Sequence, residues 1–116
     1  MFRVKRIYDT PVKDDGYRIL VDRLWPRGLK KEHIVLDLWL KEIAPSTGLR
    51  KWFNHQPEKW LVFKSKYVEE LTVNKAVQDL REACEDKDVV TLLFAARDQH
   101  YNHALVLQSF LENELG

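Results

Sequence analysis

Val89-Val90-Thr91-Leu92-Leu93-Phe94-Ala95-Ala96 is the longest apolar run in the chain, and the expected architecture hinges on it. A run of this length, rich in β-branched residues and apolar at both parities, has the character of a strand buried on both faces, as in the middle of a parallel sheet. It is far shorter than the roughly 18 residues that a membrane-spanning helix requires. It ends at Arg97-Asp98, where the chain becomes polar.

On its C-terminal side, residues 102–115 form a helix on this reading, apolar over much of its circumference through Leu105, Leu107, Phe110 and Leu111. Upstream, Val77, Leu80 and Cys84 mark one face of a helix with Asn74 as its expected cap, followed by the charged loop at residues 86–88. Trp60, Phe63, Tyr67 and Leu71 recur at helical spacing after Pro57, which suits a first turn because its missing N–H would be an orphan there. Ser46 stands where an N-cap belongs, before the short apolar face of Leu49, Trp52 and Phe53. Leu36, Trp39, Leu40 and Ile43 also have helical spacing, so a helix is expected over residues 36–43, ended by Pro45.

Two strands are expected before these helices. Residues 2–8 alternate with at least one solvated face, and residues 17–23 are more buried because Ile19-Leu20-Val21 is apolar on both sides. Between them lies a polar loop at residues 10–16, closed by Asp15-Gly16, and the second strand runs straight into the tight loop Trp25-Pro26-Arg27-Gly28. The expected order is β-β-α-α-α-α-β-α. That order implies an α/β protein: a single domain over residues 1–116, with a short mixed or parallel sheet in a three-layer α/β/α arrangement.

The chain has 116 residues, 45% apolar and 32% charged, with few Gly and Pro, a composition of a globule rather than a disordered or fibrous chain. Its one cysteine, Cys84, offers no internal disulfide and no Cys-x-x-Cys pair, which fits a reducing cytoplasm. With Arg3, Lys5 and Arg6 near the start, no signal peptide or membrane anchor is expected. Nineteen Lys+Arg against 18 Asp+Glu leave a formal charge of +1, unlike a protein that coats nucleic acid. The average hides a skew: residues 1–55 carry 12 basic and 7 acidic side chains, whereas residues 56–116 carry 7 and 11.

In open α/β sheets, ligands bind outside the carboxyl ends of the strands. The ends of the two most apolar strands carry Asp22-Arg23-Leu24-Trp25-Pro26-Arg27-Gly28 and Arg97-Asp98-Gln99-His100-Tyr101-Asn102-His103. Arg23, Arg27 and Arg50 point to an anionic ligand, because the planar guanidinium holds phosphate or carboxylate in a bidentate fork. Gly28, Asn102 and the helix start presented by Ser46 complete the anion-binding set. Trp25 and Trp52 are candidates to cover an aromatic moiety, and Asp98, His103 and His55 are candidates for proton transfer. Each has a structural alternative: Arg23 pairing with Asp22 or Asp98, Ser46 only capping a helix, and the histidines packing in the fold. Nucleotide-binding Gly-rich loops, the Gly-x-Ser-x-Gly elbow and diagnostic zinc-ligand spacing do not occur in the sequence, so no metal is expected and no cofactor is indicated.

The blocks LVDRLWPRG (20–28), WLKEIAPS (39–46), LRKWFNH (49–55), FKSKYVEEL (63–71) and VTLLFAARDQHYNHALVL (90–107) resemble the domain-of-unknown-function 488 family, in its YeaO-like branch. The resemblance spans nearly the whole chain in order. It implies a small bacterial or archaeal cytoplasmic protein of α/β fold without an established activity. Its motif residues in this sequence are those of the rim, with Asp22 and Phe53 added. Some members are labelled transcriptional regulators, yet this chain has no obvious helix-turn-helix pair with a basic recognition helix. The sequence therefore predicts a domain that binds a phosphorylated or nucleotide-like small molecule at an Arg-rich rim and leaves open whether it transforms it. The rival readings are a nucleic-acid-binding or regulatory module and a scaffold whose Arg/Asp rim is purely structural.

Overall fold

The computed structural model describes residues 1–115. Four strands, β1 (Phe2–Arg6), β2 (Tyr17–Leu20), β3 (Leu38–Trp39) and β4 (Val90–Phe94), form one parallel sheet in the order β1-β4-β2-β3. The helices among the described residues are α1 (Thr47–Phe53), α2 (Trp60–Thr72), α3 (Ala76–Cys84) and α4 (His103–Leu115). The protein is therefore α/β. The long apolar run supplies the inner strand β4, all five of whose residues are buried. Leu92 is flanked by Val4 on one side and Ile19 on the other.

Alternation along the strands divides the core in two. Ile19, Val90, Leu92 and Phe94 face the helices, whose buried residues, such as Leu49, Phe63, Leu80 and Leu107, join one cluster. Tyr67 is completely buried there, and its hydroxyl donates to the Ile43 carbonyl at 2.7 Å, which satisfies its polar end. On the opposite face Ile7, Leu20 and Leu93 are covered by Trp25, Leu29, Ile34, Leu36 and Trp39. The cover on that side thus comes from the loop between β2 and β3, with a single 3₁₀ turn at Lys31–His33, rather than from an α-helix.

The helix expected over residues 36–43 is corrected by this arrangement. The segment forms β3, followed by a 3₁₀ turn at Lys41–Ile43. Leu36 and Trp39 enter the loop-side cluster while Leu38, Leu40 and Ile43 enter the helix-side cluster. A short chain half-buried on both faces thus reproduces helical spacing without being a helix. Val21, expected within the second strand, lies just past β2 but still donates its N–H to Leu93 at 3.0 Å.

A buried ion cluster fastens the β1–β2 loop. Asp15 accepts from Lys5 Nζ at 3.1 Å, from the Val12 N–H at 3.1 Å, and from the Arg18 guanidinium. Thr91 Oγ1, inside β4, donates to the Asp15 carbonyl at 2.6 Å. Burial pushes the Asp15 carboxyl up, but the Val12 N–H, Lys5 and Arg18 together outweigh it and hold the group below the usual carboxylate range. Next in the chain, Gly16 adopts φ +64°, and a Cβ there would sit 2.3 Å from the Val89 carbonyl oxygen, so only glycine fits.

Candidate functional site: an arginine-lined cavity at the strand ends

The strand ends open into a cavity of about 790 Å³. Its floor comes from the residues just past β2 and β4, and one wall from α1 and the turn after it. Another wall combines residues 22–27 with Arg6 at the end of β1 and Tyr8 just after it. Five arginines line it, Arg6, Arg23, Arg27, Arg50 and Arg97, against a single carboxylate, Asp22. The formal balance among the described lining residues, five positive charges against one negative, is +4 before any histidine is protonated.

The arginines fall into two groups. Arg23 donates from Nε to the Pro45 carbonyl at 3.2 Å and from its terminal nitrogen to Ala44 at 3.1 Å. Arg6 likewise donates to Ala96 at 2.9 Å and Ala95 at 3.1 Å. These two cations are held by neutral carbonyls, so their charge is positioned without being cancelled. Arg27, Arg50 and Arg97 are exposed, and no side-chain hydrogen bond holds them among the described residues.

Asp22 and His103 meet at the base. Asp22 Oδ2 accepts the Ala95 N–H at 2.9 Å. His103 Nε2 lies 3.0 Å from the Val21 carbonyl and 3.2 Å from Asp22 Oδ1. Both neighbours are acceptors, so Nε2 carries the proton, bonded to the carbonyl and attracted by the carboxylate beside it. Asn102 is buried as the cap of α4: its Oδ1 accepts from the Leu105 N–H at 3.1 Å and its Nδ2 donates to the Asp98 carbonyl at 3.1 Å.

Thus Arg23, Trp25, Arg27, Arg50, His55, Asn102 and His103 all border the cavity, whereas Gly28, Ser46, Trp52 and Asp98 do not. Asp98 forms the turn before α4, accepting the N–H groups of His100 at 2.8 Å and Tyr101 at 3.0 Å. Those two bonds hold its carboxyl below the usual range. Ser46 caps α1, accepting from the Leu49 N–H at 3.2 Å, but its own N–H and hydroxyl donate to Glu70 at 2.8 and 2.6 Å. The anion at that helix start is a carboxylate of α2. Trp52 lies in a separate shallow depression with Lys59 Nζ 4.9 Å above its ring. Trp25 borders the cavity but is anchored by Nε1 to the Leu29 carbonyl at 2.6 Å and meets Trp39 edge-on at 5.2 Å. Gly28 has φ +78° at an open loop position, where an added side-chain carbon would meet no atom within 4 Å. His55 also has a left-handed backbone, φ 55°, directly after Asn54 at φ 46°. This unfavoured pair turns the chain out of α1 and places His55 at the cavity wall.

Sequence reasoning missed Arg6 and Tyr8 as lining residues, and it did not single out Arg97 and Tyr101 within the strand-end segment it marked. The strand-end rule itself held the signal for the first two: β1 is parallel to β4, so its carboxyl end opens on the same cavity.

Comparison with known proteins gives the chain its family. The family model described as "Inactive DUF488-N3 subclade" matches residues 1–116. The chain belongs to the inactive subclade of DUF488-N3. It is 45% identical over 109 residues to the uncharacterized protein YeaO of Escherichia coli, covering 94% of this chain and 95% of that protein. It is 43% identical over 109 residues to the uncharacterized protein Rv3073c of Mycobacterium tuberculosis, covering 94% and 92%. No solved structure matches. The family resemblance seen in the sequence blocks is thus shown for the DUF488-N3 chain, and the strand-end cavity lies within the matched residues. Among the described residues no helix is long and apolar enough to cross a membrane.

Proposed function

We propose that this DUF488-N3 domain binds a phosphorylated small molecule in the strand-end cavity and acts by holding it rather than transforming it. The observation that carries the reading is five arginines against one carboxylate around a single concavity. Arg6 and Arg23, fixed by backbone carbonyls, supply a positioned field, while Arg27, Arg50 and Arg97 supply free forks for phosphate oxygens. A concave cluster of this kind suits a compact anion better than a long polyanion, which needs charge spread along a groove.

Two of the three candidate proton-transfer groups, His103 and Asp98, are engaged within the fold, which supports binding without reaction. His103 Nε2–H faces two acceptors, and both N–H bonds to Asp98 belong to a turn. The family's own description, inactive, agrees with that reading.

The test is calorimetric titration with pyrophosphate and ribose 5-phosphate at low salt, on the wild type and on the Arg27→Ala/Arg50→Ala double variant. A hydrogen bond to a charged group contributes about 1.5 kcal/mol at the low end of its range, appropriate to exposed side chains. The two losses together predict roughly a 100-fold weaker affinity. Absence of binding by the wild type, or equal binding by the double variant, would remove the proposal.

A further inference from the structure

We infer that the anion is the phosphate of a nucleotide whose base lies against Tyr8, an inference that rests on the phosphate-binding reading above. Tyr8 borders the cavity and is 42% exposed, yet it is fixed at two points. Its hydroxyl donates to the Arg27 carbonyl at 2.9 Å, and the Arg6 guanidinium lies 4.9 Å from its ring centre. Arg6 is itself fastened to Ala95 and Ala96 at the end of β4. The ring is therefore held in place by the Arg27 carbonyl and by an arginine fastened to the sheet, and part of its surface stays exposed at the cavity border. A preordered aromatic surface of this kind binds another ring at little conformational cost.

Size and charge point the same way. A cavity of about 790 Å³ lies within the range of sites for whole organic ligands and is far larger than inorganic phosphate needs. The hydroxyl of Tyr8 holds the backbone of Arg27, one of the free cations, so stacking surface and phosphate-binding fork are adjacent at one side of the cavity. A base joined to a phosphate through a sugar matches that pairing of features, whereas a sugar phosphate leaves the ring uncovered. Trp25 and Trp52 do not serve this role: the first is anchored edge-on against Trp39, and the second lies outside the cavity.

The experiment compares AMP, ribose 5-phosphate and adenosine by calorimetry. Base stacking on an aromatic side chain predicts that the wild type binds AMP roughly 5- to 150-fold more tightly than ribose 5-phosphate. Adenosine, which lacks the phosphate, should bind more weakly than AMP; equal affinity for the two overturns the phosphate reading. Tyr8→Ala should bring AMP affinity down to the wild-type value for ribose 5-phosphate, Tyr8→Phe should keep most of the preference, and Trp52→Ala should not alter it. Equal affinity of the wild type for AMP and ribose 5-phosphate overturns the base assignment and leaves phosphate binding standing. Binding of neither overturns both readings. A preference that survives in Tyr8→Ala, or that is lost instead in Tyr101→Ala, overturns the placement of the base on Tyr8. Because the wild-type comparison alone decides the ligand class, a variant that fails to fold does not shield the proposal.

Discussion

Replacing Asp15 by Asn tests how the sheet is held. Asp15 is 3% exposed and Arg18 2% exposed, and the Asp15 carboxylate answers both Arg18 and Lys5. An amide of the same shape can still accept the Val12 N–H and one cation, but its NH₂ then faces the other. Two cations remain with no countercharge between them. Breaking a buried pair from one side costs about 3–5 kcal/mol. Against a total stability of about 5–15 kcal/mol, that is a large fraction.

The acid dependence supplies an independent sign. The folded-state carboxyl of Asp15 titrates below its ordinary value of 3.8. Its stabilisation is therefore present above about pH 4 and is lost as pH falls through the lower folded value. Urea unfolding followed by circular dichroism at neutral pH and near pH 3 should show the variant weaker at neutral pH, with a smaller further loss in acid than the wild type. A loss below about 1 kcal/mol at neutral pH, or an unchanged acid slope, would refute the assignment of this cluster as a structural clamp. None of Lys5, Asp15 and Arg18 borders the strand-end cavity, so AMP affinity measured where the variant is folded should match the wild type.

Gly16→Ala should destabilise by at least about 3 kcal/mol, because strained positive φ is compounded by a Cβ only 2.3 Å from a backbone oxygen; a thermal melt within a few degrees of the wild type would contradict this. Glu70→Ala should cost about 1–2 kcal/mol through the lost bonds to Ser46, measured by urea unfolding, while AMP titration stays unchanged because the α1 start is not part of the cavity. Burial pushes the Cys84 thiol up to about 11, so at pH 8 only about one molecule in a thousand is thiolate. Alkylation by iodoacetamide, followed by mass spectrometry, should therefore proceed far more slowly in the folded protein than in urea.

Much of the fold was legible where one physical cause dominates a segment. β4 is apolar at nearly every position because strands lie on both of its sides and core on both of its faces. Ser46 and Asn74 were legible because their short side chains satisfy helix N–H groups, with Asn74 Oδ1 accepting from Ala76 at 2.9 Å. β3 was not legible, since the partial burial of Leu36, Leu38, Trp39 and Leu40 on two sides imitates helical spacing over so short a stretch. The helices' restriction to one face was equally hidden, because the loop that covers the other face has no periodicity of its own.

The site divides along a similar line. Strand-end placement brought Arg23, Arg27, Asn102 and His103 to one cavity through the parallel pairing of β2 with β4. What sequence spacing cannot report is which polar groups are already engaged. Ser46 meets Glu70 across 24 positions, and Asp98 turns back on its own chain. Tyr8 gains its role only when Arg27, 19 residues away, supplies the carbonyl that fixes it.

Whether the strand ends hold an anionic ligand is decided by amide chemical-shift mapping of the isotopically labelled protein during an AMP titration. Saturable shifts should concentrate at Tyr8, Arg23, Arg27, Ala96 and Tyr101, all around the arginine-lined cavity. Shifts concentrated instead around Trp52, Glu69 and Val73 in the separate depression, or scattered over surface lysines without saturation, would contradict it.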